Sequence, residues 1–243
     1  MLKSVKPFVN SFTLLSMATF SILSCNKNNA AQSKAGHEQK VFENARKVGD
    51  RGTCITALHR IAVLDSTATW VNDSLAYYYY FYTQNPKAAG HYVDISLKLK
   101  PDDIGMNELK AKVDIQQQKD SAGIARFESL WNRTKDYTYL YNIAATHILT
   151  GRVVKADSIV VSLLKLNPIP SGNVRIEVAE ANSQQQIPIE AAFTYLKSYL
   201  VLMNGERALA MKMIDRCLEL KPDFMLAQDM KMNMNRQGNP GGY

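Results

Sequence analysis

Three prolines, Pro101, Pro168 and Pro222, each close a similar stretch of sequence: SLKLKP, SLLKLNP and CLELKP. An ending that recurs along a chain constrains the fold strongly, because it means that one supersecondary unit is built several times. Each ending reads as the last turns of a helix stopped by proline, whose ring disfavours helical backbone at the residue before it. The stretches upstream carry helical periodicity. Phe193, Leu196, Leu200 and Met203 share one stripe, and Ile159, Val160, Leu163 and Leu164 form another. Asp136 precedes YTYLYNIAATHIL and Thr69 precedes WVNDSLAYYYY, each as a candidate N-cap, and Pro188 suits a first helical turn. A two-helix unit cannot bury its apolar face alone, so the units must stack.

These endings resemble those of tetratricopeptide repeats, helix–turn–helix units of about 34 residues. The resemblance implies an all-α fold, a right-handed superhelix of stacked antiparallel helix hairpins. In that family a unit carries a small residue at position 8, Gly or a turn residue near 15, Ala at 20, a bulky apolar residue at 24, a small residue at 27 and Pro at 32. Laid back from each proline, the frame gives units at 70–103, 137–170 and 191–224. The second has Ala144, Gly151, Ala156 and Val160 at positions 8, 15, 20 and 24, with Leu163 in place of the small residue at 27. The third has Ser198, Gly205, Ala210, Ile214 and Cys217. In the first, Ala89, Val93 and Ser96 fit, but the frame puts the large Tyr77 at position 8, with Tyr80 at 11, both expected between helices. Residues 104–136 fit more loosely, with Ala111 at 8, Gly123 at 20 and Phe127 at 24; residues 36–69 fit as a helix pair around Gly49-Asp50-Arg51-Gly52. A capping helix is expected over 223–236 and a disordered tail over 237–243.

Between Pro168 and Ala191 the rhythm breaks. The insert at 171–190 reads either as a short extra helix through Val174, Val178 and Ala181 or as a long loop. At the other end, Lys3 and Lys6 precede the apolar run FTLLSMATFSIL, too short to span a bilayer and suited to a signal peptide. It closes in Ile22-Leu23-Ser24-Cys25, which resembles the lipobox of bacterial lipoproteins. That resemblance implies removal of 1–24, acylation of Cys25, and a flexible polar tether over 25–36. Asn26, where an Asp would hold many lipoproteins at the inner membrane, leans the reading toward the outer membrane, and the missing acidic export patch favours its periplasmic side.

The net charge is +7, with two lysines in the leader and no cluster of basic residues, so no nucleic-acid partner is expected. His37, His59, His91 and His147 lack metal-ligand spacing, and no phosphate loop or nucleophile motif appears. Asp102 and Asp103 are better read as helix caps than as a catalytic pair, and Cys54 and Cys217 as small buried residues than as a disulfide. No enzymatic activity, metal, cofactor or small-molecule ligand is expected. What remains is binding of a protein or peptide, with a membrane anchor at Cys25. In the repeat family the first helix of each unit lines a concave groove. The positions carried over are Tyr78, Phe81 and Tyr82; Glu108, Lys112 and Gln116; Tyr141, Ile148 and Leu149; and Tyr195, Tyr199, Leu202 and Met203. They describe an aromatic and apolar groove with few charges, suited to an extended or helical peptide. Packing of these side chains against neighbouring helices is the competing expectation. The function read from this is an adaptor or assembly subunit held at the periplasmic face of the outer membrane, with a glycan- or nutrient-binding surface lipoprotein as the alternative.

Overall fold

The structure, a computed structural model, describes residues 32–65, 68–178 and 183–238. The signal segment, Cys25 and the start of the tether lie outside the described residues, as do 239–243. The chain divides into two compact units, one ending at Tyr78 and the other beginning at Tyr79.

In the first unit, α1 covers 32–47, so residues 32–36, expected as flexible tether, are helical. Gln32, Lys34 and Ala35 are good helix formers, which continue the helix behind them outward. Helix α2 (Arg51–Leu64) follows a turn at Gly49 and is capped by Asp50, whose side chain accepts from Thr53 N. Helix α3 is Thr69–Tyr77. Thr69 was the expected cap, but it is the first helical residue; Ala68 holds the cap position and makes no side-chain bond.

The tyrosine run does not continue as α-helix. Tyr78–Tyr82 form a π-turn, which inserts one residue relative to α-helical winding. The frame, counted back from Pro101, therefore slips by one upstream of it. Ala76 is fully buried and Tyr77 is 39% exposed. The small residue that the family places at position 8 is thus Ala76, and the expected burial of Tyr77 is corrected; Tyr80 is buried.

In the second unit helices stack in chain order: α4 (Pro86–Leu99), α5 (Ile104–Gln116), α6 (Asp120–Thr134), α7 (Tyr137–Leu149), α8 (Val153–Leu164), α9 (Ile189–Met203), α10 (Arg207–Leu220) and α11 (Met225–Gly238), each packed on the next. Asp103 and Asp136 cap α5 and α7 by accepting from Met106 N and Thr138 N. Gly151 and Gly205 close α7 and α9 at positive φ, +70° and +86°, which an L side chain rarely adopts. Ala144, Ala156, Ser198, Ala210 and Cys217 are all fully buried where helices cross. A close crossing lies at Gly123: a Cβ there would sit 2.5 Å from Ile115 Cγ1 and 2.8 Å from the Ala111 carbonyl oxygen. Helix α11 runs two residues past the expected end, through Gly238.

The insert is neither of the expected forms. Its described part is an antiparallel hairpin, β1 (Asn173–Val178) and β2 (Ser183–Pro188), in continuous register from Asn173 opposite Pro188 to Val178 opposite Ser183. The physical reason lies in β1, where β-branched residues alternate with charged ones. Val174, Ile176 and Val178 are buried and Arg175 and Glu177 are half-exposed, the period of a strand with one buried face. Val174, Ile176 and Ile187 join the core formed by α7, α9 and α10, beside Tyr141, Ala144 and Phe193. The unit is thus all-α apart from one hairpin packed on its helices.

Candidate functional site

The hairpin settles on the first helices of the repeats, the face expected to form an open groove. On α5, Glu108 and Lys112 stand one turn apart and share a face. Lys112 Nζ donates to Glu108 Oε1 at 2.7 Å and to Glu177 Oε1 of β1 at 2.6 Å. Glu108 Oε2 accepts from the Tyr139 hydroxyl at 3.1 Å and from Arg175 at 3.2 Å. Arg175 also reaches Asp136 at 3.2 Å, and its guanidinium stands 6.0 Å from the centre of the Tyr139 ring. Its backbone N–H donates to Thr138 Oγ1 at 3.2 Å. Five charged side chains from α5, the α7 cap and β1 thus form one connected set, and the expectation of a groove with few charges is corrected. The cause is the alternation in β1, which sends Arg175 and Glu177 to the side away from the apolar core.

The electrostatics follow from this matching. Burial alone would lower the pKa of Lys112, but Glu108 and Glu177 outweigh it and hold the ammonium protonated. Burial is likewise outweighed for Arg175 by Glu108 and Asp136. The Tyr139 hydroxyl is pushed up to about 12 by burial first and by Glu108 second. Tyr80 and Tyr141 are raised further, chiefly by burial. Beside the charges lies a cavity of about 290 Å³, bordered by Tyr80, Lys112, Tyr141, Leu149, Glu177 and Leu226. Its cations are matched by carboxylates, and its hydroxyls are held protonated. The chemistry it offers is recognition by hydrogen bonds and apolar contact.

The other expected groove residues scatter. Ile148 is in the core, 8% exposed, and Tyr141 is buried against Phe193, ring centres 6.0 Å apart. Tyr195 is half-buried against Phe224 at 5.3 Å. Tyr199 and Met203 on α9 and Leu149 on α7 are exposed. Tyr82 is exposed and Phe81 lies edge-on to Tyr80 at 4.8 Å. Tyr78 belongs to the first unit, where its ring meets Phe42 at 6.3 Å. Of the expected set, Lys112, Gln116, Tyr141 and Leu149 line the cavity. Arg175, Glu177 and Asp136 were not among the expected site residues, although the period-two pattern around Arg175 was the signal that could have found them.

Elsewhere, His37 and His59 border an open cleft of about 550 Å³ between α1 and α2. Among the described residues no group of three His, Cys, Asp or Glu is placed to hold a metal ion. His147 is buried, and its pKa is lowered by burial, then by Arg152 and Lys155. Cys54 and Cys217 are free and buried, and burial pushes the Cys217 thiol up to about 12, well away from thiolate reactivity. Among the described residues, no helix is long and apolar enough to cross a membrane.

No protein-family model and no curated protein matches the sequence. Solved structures do match in fold. MamA aligns at a TM-score of 0.57 and 13% identity, over 79% of this chain and 93% of MamA. PilW, a widely conserved type IV pilus biogenesis factor, aligns at 0.56 and 13%, over 90% of this chain and 96% of PilW. YrrB, a tetratricopeptide-repeat protein with an unusual peptide-binding site, aligns at 0.52 and 14%, over 79% and 88%.

Proposed function

Starting from the tetratricopeptide-repeat fold that this chain shares with these structures, we propose that it is a lipid-anchored scaffold that binds a protein or peptide partner. Cys25 carries the acyl anchor, which holds the chain at the periplasmic face of the outer membrane. Confinement there raises the effective concentration of the repeats toward membrane partners. The observation that carries the binding reading is a set of exposed apolar side chains at the ends of two first helices. Leu149 closes α7 and Met203 closes α9, at the same position of their units, and Tyr199 lies one turn before Met203; they are 79%, 52% and 42% exposed. Helices of this amphipathic kind usually bury such residues, and exposed ones mark contact surfaces when they recur together. The middle of the first-helix face is taken by the chain's own hairpin, so a partner engages these helix ends.

The test is crosslinking and recovery from membranes with the Cys25-anchored chain as bait. A stable protein partner is expected, lost when Leu149→Glu and Met203→Glu are combined. Retention of the partner by that variant would remove the assigned surface. Recovery of no partner, with quenching of tyrosine fluorescence by sugars, would replace the scaffold by a glycan binder. Cys25→Ala should move the chain to the soluble fraction, and rapid digestion by protease added to intact cells would overturn the periplasmic placement.

A further inference from the structure

The two edges of the hairpin are treated differently by the rest of the molecule. At its base, Ile189 N donates to Gly172 O at 3.1 Å. With the register of the strands, this bond fixes which residues bond inward. Val174 with Ile187, Ile176 with Gln185, and Val178 with Ser183 are the hydrogen-bonded pairs, because such pairs alternate along an antiparallel ladder. Asn173, Arg175 and Glu177 on β1, and Gln184, Gln186 and Pro188 on β2, therefore turn their backbone groups outward. On β1 that outward edge is docked, since the Arg175 N–H is taken by Thr138 Oγ1. Helix α7 lies along that side.

On β2 it is open. Gln184 and Gln186 are both exposed. Neither backbone makes a hydrogen bond to any element outside the ladder among the described residues. The inward-facing Gln185 instead ties the strand down, donating to Asp223 O at 2.6 Å and accepting from Met225 N at 3.0 Å. Natural proteins protect an open edge with lysine, proline or a bulge. Here the edge carries no charged residue between Ser183 and Ile187 and the register has no bulge. Pro188 stands at an outward position, where its missing N–H costs no ladder bond, and marks where the open edge ends.

We propose that β2 is a docking edge for an extended segment of a partner protein, which adds to the hairpin as a third strand. Two outward N–H groups and two outward C=O groups, on alternate residues of a pinned strand, match the main chain of one extended peptide and no other common ligand. The segment needs about five residues in β conformation to meet both glutamines, at about 3.3 Å per residue. The cross-strand neighbours of Gln184 and Gln186 are Glu177 and Arg175, so polar or charged guest side chains fit on that face. This inference rests on the reading that the chain binds a protein partner.

The test uses the purified full chain and a displayed library of random linear dodecapeptides. Enrichment of binding peptides is expected, and the winning peptide should slow amide hydrogen exchange at Gln184 and Gln186. Gln186→Pro removes one outward N–H and no ladder bond, as Pro188 already does. It should weaken that peptide at least tenfold, while Glu219→Gln on α10 leaves its binding unchanged. Failure to enrich any peptide, or protection on α9 in place of β2, would overturn the docking edge. Self-association of the chain through β2, abolished by Gln186→Pro, would also overturn it, by giving the edge to a second copy. If Gln186→Pro disturbs folding, the exchange measurement on the unaltered chain decides. A membrane partner that Gln186→Pro still captures would remove the edge and leave the scaffold reading standing.

Discussion

Replacing Glu108 by Gln tests how the hairpin is held to the helices. The substitution keeps the shape of the side chain and removes its charge. In the native molecule its two oxygens serve three partners: Lys112 at 2.7 Å, the Tyr139 hydroxyl at 3.1 Å and Arg175 at 3.2 Å. The side chain is 15% exposed, so solvent does not fully replace these bonds. A hydrogen bond to a charged group contributes about 1.5–3 kcal/mol, and the low end applies to Lys112 because it keeps Glu177. Arg175 is a third exposed and keeps Asp136, so its share falls toward the surface value of about 0.5 kcal/mol. With the weakened Tyr139 bond the total is about 2–3 kcal/mol, or roughly 5–10 °C in melting temperature for a unit of this size. Thermal melts followed by circular dichroism read this directly. Glu219→Gln, which breaks only the exposed contact with Arg216, should move the melt by about 1–2 °C or less on the same scale. Adding Arg175→Met to Glu108→Gln should cost less than Arg175→Met alone, because the two share a bond. A Glu108→Gln chain that melts within a degree of the native one would refute the claim that this network ties the hairpin down.

The remaining expectations concern packing and pH. Gly123→Ala forces a methyl group against Ile115 and the Ala111 carbonyl; about 1–3 kcal/mol of overpacking exceeds the helix-propensity gain of about 1 kcal/mol, so urea unfolding should show a net loss. Ile176→Ala empties a buried position on β1 and should cost about 2–5 kcal/mol in the same assay. Tyr139 and Tyr195 are each pushed from 10.0 up to about 12, mainly by burial. A raised folded-state value means their contribution is complete below pH 10 and is withdrawn as pH climbs toward 12. Stability should therefore fall across that window, with tyrosinate absorbance of these two rings delayed to the same range. His147, with its pKa lowered from 6.5, acts in the opposite sense. It contributes fully above pH 6.5, and protonation below that should destabilise the native chain more than a His147→Leu variant.

Much of the repeat architecture was legible because it rests on local chemistry. Asp103 and Asp136 are caps that sequence alone can name, and Gly151 and Gly205 mark turns that need positive φ. Ala111 and Gly123 are small because two backbones meet there. The tyrosine run was not legible in the same way. Six adjacent aromatics fit an α-helix by propensity, and nothing local announces the π-turn that shifts Ala76 into the place assigned to Tyr77. The hairpin was partly legible. Val174, Ile176 and Val178 alternate with Arg175 and Glu177, but Val174, Val178 and Ala181 also match helical spacing, and among helical repeats the insert read as an extra helix or a long loop. Missing the strand also hid the site, since Glu108 and Lys112 acquire their partners only when Arg175 and Glu177 face them.

The insert is a hairpin seated on the first-helix face, and proton–proton contacts measured by NMR test this most directly. A cross-peak is predicted between the α protons of Arg175 and Gln186, which face each other as a non-hydrogen-bonded pair. A second is predicted between the Arg175 amide proton and the side chain of Thr138, whose oxygen lies 3.2 Å from that nitrogen. Helical contacts three residues apart through 174–181, with neither of these cross-peaks, would contradict it.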